Sequence, residues 1–208
     1  MINHGMHALG NSSGKGRSMP VTFLTRAFPS RREAFTAKPA RSPARRFKGF
    51  PMDAIQLLKD DHKAVKALLG ELARTTTRAV KRRATLLREI HLNLHAHTRI
   101  EEEIFYPAYR EAGDKEQVKL YYEALEEHRA AGDLVLPGLL QTDPSSEQFS
   151  GRAKVLKELV EHHVEEEEQQ MFKQARSLLD KETLRELGER MTQRKQEVIE
   201  GWKAAKAE

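Results

Sequence analysis

His97-Thr98-Arg99-Ile100-Glu101-Glu102-Glu103-Ile104-Phe105-Tyr106-Pro107 is the stretch on which the reading of this chain turns. Residues four apart share a helix face, so His97 and Glu101 point at the same spot. That face carries apolar residues on either side of the pair. Leu87, Ile90, Leu94, His97, Glu101, Ile104 and Ala108 step by three and four, the seam of a helix that faces a core. An imidazole and a carboxylate thus stand where apolar side chains belong. A buried carboxylate without a partner costs several kcal/mol or is forced neutral, so something must compensate it. A metal ion is the simplest candidate.

The same pattern recurs along the chain. From Asp53, a plausible N-cap, Ile55, Leu58, His62, Val65, Leu69 and Leu72 form a first seam with His62 at its middle. Thr75-Thr76-Thr77, three poor helix formers, mark a short connection. The second helix is predicted from about Val80 to Arg110, with Pro107 loosening its last turn and Gly113-Asp114 ending it. A third, about Lys115 to Leu136, carries Tyr121, Leu125, His128, Ala131 or Gly132, and Val135, and Pro137-Gly138 is expected to kink or stop it. Thr142 to Ser146 reads as a loop. A fourth, about Gly151 to Ser177, carries Leu156, Leu159, Val160, His163 and Glu167, again a histidine with a carboxylate four later. Lys181 to about Ala205 forms a fifth amphipathic helix, expected on the outside of the others. No strand signal interrupts them. The expected fold is all-α: an antiparallel up-down four-helix bundle with an additional C-terminal helix.

The seams bring six donors inside: His62, His97, Glu101, His128, His163 and Glu167. Imidazole and carboxylate without thiolate suit iron, manganese, zinc or nickel, and two carboxylates able to bridge suggest two ions. Four imidazoles, two bridging carboxylates and one bridging oxide or hydroxide leave two positions of two octahedral ions open to a small molecule. The remaining acids of the two runs, Glu102, Glu103, Glu165, Glu166 and Glu168, read as solvated faces. His162 with Glu166 repeats the spacing of His163 with Glu167, but the Leu156-Val160 seam favours the second pair. His91 and His95 lie off the seam and are expected to be exposed.

Composition narrows the classes. The chain has 208 residues and no cysteine, which excludes disulfides, thiolate metal sites and cysteine nucleophiles. No apolar run is long enough to span a membrane, so a soluble, cytoplasmic protein is expected. The net charge of +5 is uneven. Residues 1–51 balance at +9 and the remainder at −4, so the basic pI belongs to the N-terminal segment and gives no reason to expect nucleic-acid binding by the folded part. Rich in Gly, Ser, Pro and Arg, residues 1–51 are expected to be a disordered basic segment: a false start before Met52, a presequence, or an arm for an anionic surface. The folded domain is expected over residues 52–208.

From Met52 to about Trp202 the chain resembles the hemerythrin HHE cation-binding family. The residues that carry the resemblance are Asp61-His62, the block His97 to Pro107, Glu127-His128, and His162-His163-Val164-Glu165-Glu166-Glu167-Glu168. The resemblance implies a non-haem di-iron centre, oxo- or hydroxo-bridged, held by the six residues above, with manganese or zinc as alternatives. It differs from the oxygen carriers of the family, which have a second histidine four after the helix-three histidine. Gly132 stands there, and the fourth helix has a Glu four after its His where the carriers have an Asp five after. These departures point away from reversible oxygen carriage, and the lack of cysteine points away from iron–sulfur repair. The expected function is to bind or sense a small ligand such as O2, NO or peroxide. The alternatives are a redox enzyme acting on peroxide or NO, with Glu102 or Glu166 as proton shuttle and a tyrosine among Tyr106, Tyr109, Tyr121 and Tyr122 near the open positions, or a metal-stabilised bundle read by a partner.

Overall fold

The computed structural model describes residues 52–205, so the expectations for residues 1–51 lie outside it. Five long helices and no strand occur among the described residues. The first is Ala54–Arg74, opened by Asp53, whose side chain accepts the Gln56 N–H at 2.8 Å and satisfies an otherwise orphaned donor. Three further starts are capped alike. Asp114 and Gln117 form a reciprocal capping box, Ser146 accepts the Phe149 N–H at 3.1 Å, and Asp180 accepts the Thr183 N–H at 2.7 Å.

The second, third and fourth helices each contain one wider turn. The second passes from Val80–Ile100 through a π turn at Glu101–Phe105 into Tyr106–Ala112. The third passes from Lys115–Arg129 through Ala130–Val135 into Leu136–Leu140, so Pro137-Gly138 does not stop it at Leu136. The fourth passes from Glu147–Glu166 through Glu167–Met171 into Phe172–Leu178 and starts earlier than its seam suggested, because Ser146 caps it. In each wide turn an N–H reaches back five residues: Tyr106 to Glu101, Leu136 to Ala131, Phe172 to Glu167. Pro107 and Pro137 lack an N–H and crowd the preceding turn, which favours the wider closure beside them. The third wide turn has no proline nearby.

Short connections make consecutive helices antiparallel neighbours. The first helix packs on the second and fourth, and the third on the second and fourth, closing a four-helix bundle. The fifth helix, Lys181–Ala204, lies across the first and second from outside. Arg83, 2% exposed, ties the two connections at one end: it donates to the Thr75 and Pro144 carbonyls and to Ser150 Oγ.

The core has two parts. One is rich in aromatics, with Phe105, Tyr106, Tyr109 and Phe172 beside Ile55, Leu58, Leu184 and Met191. The other is almost wholly aliphatic, with Val65, Leu69, Leu86, Ile90, Leu156 and Val160 around Phe149. Along each of the first four helices, a layer of buried polar residues stands between them.

Candidate metal centre

All six residues singled out from the seams lie in that layer. His62, His97, Glu101, His128, His163 and Glu167 are between 0% and 8% exposed. Glu101 and Glu167 are the residues whose carbonyls close the wide turns of their helices. The register between His162 and His163 falls to His163: it is 6% exposed, while the His162 side chain is 64% exposed.

Nε2 atoms and carboxylate oxygens converge in two overlapping groups. His62, His97, Glu101 and Glu167 make one; Glu101, His128 and His163 make the other, with Glu101 common to both. His62 Nε2 is 3.1 Å from Glu167 Oε2, His97 Nε2 3.2 Å and His128 Nε2 3.3 Å from Glu101 Oε2, and His163 Nε2 3.5 Å from Glu167 Oε2. His128 Nε2 and His163 Nε2 are 3.1 Å apart.

Behind each imidazole stands a carboxylate from the neighbouring helix. His62 Nδ1 faces Glu168 at 2.9 Å, His163 Nδ1 faces Glu127 at 2.8 Å, and His128 Nδ1 faces Glu102 at 2.9 Å. His97 Nδ1 lies 3.5 Å from Asp61 Oδ2, and the other Asp61 oxygen accepts from Lys195 of the fifth helix. The contacts run once round the bundle, first helix to fourth, fourth to third, third to second, second to first. A carboxylate that accepts from Nδ1–H turns the Nε2 lone pair toward the centre, the tautomer a metal ligand needs. Glu102 and Glu168 are therefore half-buried orienting groups, which corrects the reading of them as solvated faces. The partner is in each case the sequence neighbour of an inward donor, pointing sideways at the next helix.

Tyr106 also belongs to the site. Its ring is fully buried, stacked 5.5 Å from His128, and its hydroxyl donates to Glu167 Oε1 at 2.9 Å while lying 3.2 Å from His128 Nε2. Tyr109, Tyr121 and Tyr122 do not reach the centre: Tyr109 pairs with Gln174, Tyr121 packs against Tyr106, and Tyr122 is 58% exposed. Glu166 stays outside with His162 and Glu127 in a separate surface group. His91 and His95 are half-buried against Trp202, with rings 4.4 and 5.1 Å away, not exposed as expected.

The electrostatics of the layer are in conflict without a cation. Burial, and then the Glu167 charge, push Glu101 well above the usual carboxylate range. Burial acts the same way on Glu167, but the His163 and His62 imidazoles outweigh it and hold Glu167 far below that range. Burial drives His97 down to about 4. In His62 and His163 burial opposes protonation, yet the facing carboxylates, Glu167 foremost, raise both. Tyr106 is raised by burial and by the Glu101 and Glu167 charges, so it remains a phenol and a proton donor.

The donor set fits a metal. Both Glu101 oxygens, Glu167 Oε2 and His62 Nε2 are buried at the centre without a hydrogen-bond partner. Orphaned buried polar atoms are costly, and this many at one point call for a common partner. A divalent cation supplies one to the convergent lone pairs.

Two comparisons with known proteins agree with this geometry, and a third gives a distant relative. Residues 53–175 match the family model of the Hemerythrin HHE cation binding domain. The structure is similar to a crystal structure of a hemerythrin HHE cation binding domain-containing protein from Mycobacterium kansasii, with a TM-score of 0.63 and 29% identity, covering 72% of this chain and 89% of that one. A protein of Nostoc sp. named DNA nickase is 29% identical over 132 residues, 63% of this chain. This chain spans only 36% of the length of that relative.

Proposed function

The chain belongs to the hemerythrin HHE cation binding domain family, and on that premise we propose that it is a non-haem di-iron protein that binds or senses a small ligand such as O2, NO or peroxide. His62, His97, Glu101, His128, His163 and Glu167 would hold the metal, and Glu101 belongs to both donor groups. The observation that carries this reading is the set of orphaned lone pairs converging between the two parts of the core. The domain extends over 52–208, with 1–51 a separate basic segment.

When bound, the ions supply open coordination positions and redox capacity. The protein does the rest. Asp61, Glu102, Glu127 and Glu168 fix the imidazoles, so that the Nε2 lone pairs are already aimed and little reorganisation accompanies binding. Tyr106 holds Glu167 and keeps a phenolic proton within the buried layer, available to a ligand that gains negative charge. The aromatic part of the core closes that side to water.

Metal analysis and the visible spectrum of the full chain, reduced anaerobically and then exposed to air, test the reading. About two irons per chain with an oxo-bridge charge-transfer band is the expected result. Reversible colour supports binding or sensing, irreversible oxidation favours the redox enzyme, and zinc in both positions sinks all oxygen chemistry. His97→Ala and His163→Ala should each lose metal; full occupancy in both would remove these residues from the ligand set.

A further inference from the structure

A small cavity lies on the aliphatic side of the polar layer, bounded by Val65, Leu94, Leu159, Val160, Val164 and Gly132. The rings of His97, His128 and His163 complete its wall. It offers about 30 Å³ to the centre of a water-sized sphere. One water needs roughly 10–15 Å³ on that measure, so the space suits a diatomic molecule. Besides the three imidazoles, its polar side chains are engaged. Glu127 accepts from His163, and the Thr98 hydroxyl donates to the His95 carbonyl at 3.4 Å.

The space is open at Gly132. A Cβ placed there meets no atom within 4 Å. It lies in the wide turn Ala130–Val135, four residues after His128, and with Leu159 it is only half-buried, so the cavity reaches toward the surface at this point. The cavity also borders the poorer of the two donor groups. His128 and His163 are two of the three members of that group, whereas the other has four donors and only His97 at the cavity.

We propose that this cavity is the entry path and binding pocket for an uncharged, weakly polar diatomic ligand, O2 or NO, which reaches the His128–His163 side of the centre through the gap at Gly132. A largely apolar wall penalises an anion or a hydroxyl-bearing molecule such as hydrogen peroxide, which would leave most of its water partners behind unreplaced. The identity of the ligand rests on the di-iron reading; the cavity does not.

Gly132→Leu tests this, because the Leu side chain would grow into open space. Two readouts separate the claims. Under xenon pressure, with or without metal, the parent should bind one xenon atom in the cavity and Gly132→Leu none. In the ferrous protein, Gly132→Leu should slow NO association at least ten-fold at unchanged iron content, and azide should bind the oxidised parent far more slowly than NO binds the reduced one. Should Gly132→Leu fail to fold, Val160→Phe fills the same space from the fourth helix and is read in the same way. Equal NO rates at full iron content would overturn the proposal, as would xenon binding equally to parent and variant, or azide binding as fast as NO. A parent that takes up xenon but no iron would overturn the di-iron function and leave the cavity standing as a site for apolar gases.

Discussion

The two parts of the core use space differently. On the aromatic side Phe105, Tyr106, Tyr109 and Phe172 are each no more than 2% exposed, with Phe105 in ring contact with the other three at 5.7 to 6.4 Å, and the fifth helix is pressed against the start of the first. On the aliphatic side the same helices leave a cavity beside three imidazoles and a glycine whose missing side chain nothing replaces. Large planar rings fill a layer and bring one hydroxyl to the centre; branched aliphatic chains round a wide helical turn leave a gap. One side is built to hold the donors and the other to let something reach them.

The largest way to disturb this arrangement is to remove what joins the halves. A metal present at about a thousand times its Kd stabilises the folded state by about 4 kcal/mol, so chelation should lower the melting temperature by several degrees or more. Amide exchange should then distinguish the sides. Residues around the cavity, 131–135 and 160–164, should lose more protection than 105–109, where the packing stands without the cation. Equal loss on both sides would mean that the aromatic half is no more self-supporting than the other.

Much of this was legible in the sequence, for a stated reason. A helix seam is a local pattern, so a histidine or glutamate at a seam position, with apolar residues three and four away, must point inward whatever the neighbours are. That placed all six buried donors and the bundle itself. The contacts that orient the donors were not legible, because they join helices: His62 and Glu168 are 106 residues apart. Tyr106 could be named only as one of four candidate tyrosines, for a different reason. Five residues after Glu101 it falls off the face of a regular α-helix, and only the π turn at Glu101–Phe105 brings it to the centre. Periodicity carries no signal for such turns, and only the prolines at 107 and 137 hinted at two of them. His91 and His95 were misplaced because the partner that half-buries them, Trp202, comes from the far end of the chain.

The glycines sharpen the comparison. Gly188 in the fifth helix faces the start of the first so closely that a Cβ would lie 2.2 Å from the Met52 carbonyl oxygen and 2.9 Å from Ala54 N. Backbone cannot step aside cheaply, so Gly188→Ala should destabilise by about 1–3 kcal/mol despite the better helix propensity of alanine. Gly132→Ala meets nothing and should gain about 0.5–1 kcal/mol from that propensity. Denaturant titration of both variants reads the difference directly. Loss of stability in Gly132→Ala would mean the gap is not open, and no loss in Gly188→Ala would mean the aromatic end is looser than its contacts suggest.

The smallest effect belongs to the link between the wide turn of the second helix and the fifth. Arg194 Nε donates to Glu103 Oε2 at 2.6 Å, and Arg194 Nη2 donates to Glu103 Oε1 at 3.2 Å. Both side chains are about one-third exposed, so water and salt screen the pair and its worth is about 0.2–1 kcal/mol. The hydrogen bond from Arg194 outweighs partial burial and lowers the Glu103 pKa from 4.5. A carboxylate with a folded-state pKa below its unfolded value contributes fully above the unfolded pKa and loses that contribution as pH falls through the folded one. Arg194→Gln should therefore be slightly less stable than the parent at neutral pH, and the gap should close in acid below 4.5 and shrink in high salt. A gap that persists in acid would mean that Arg194 steadies the fifth helix by packing its aliphatic stem, not by its charge.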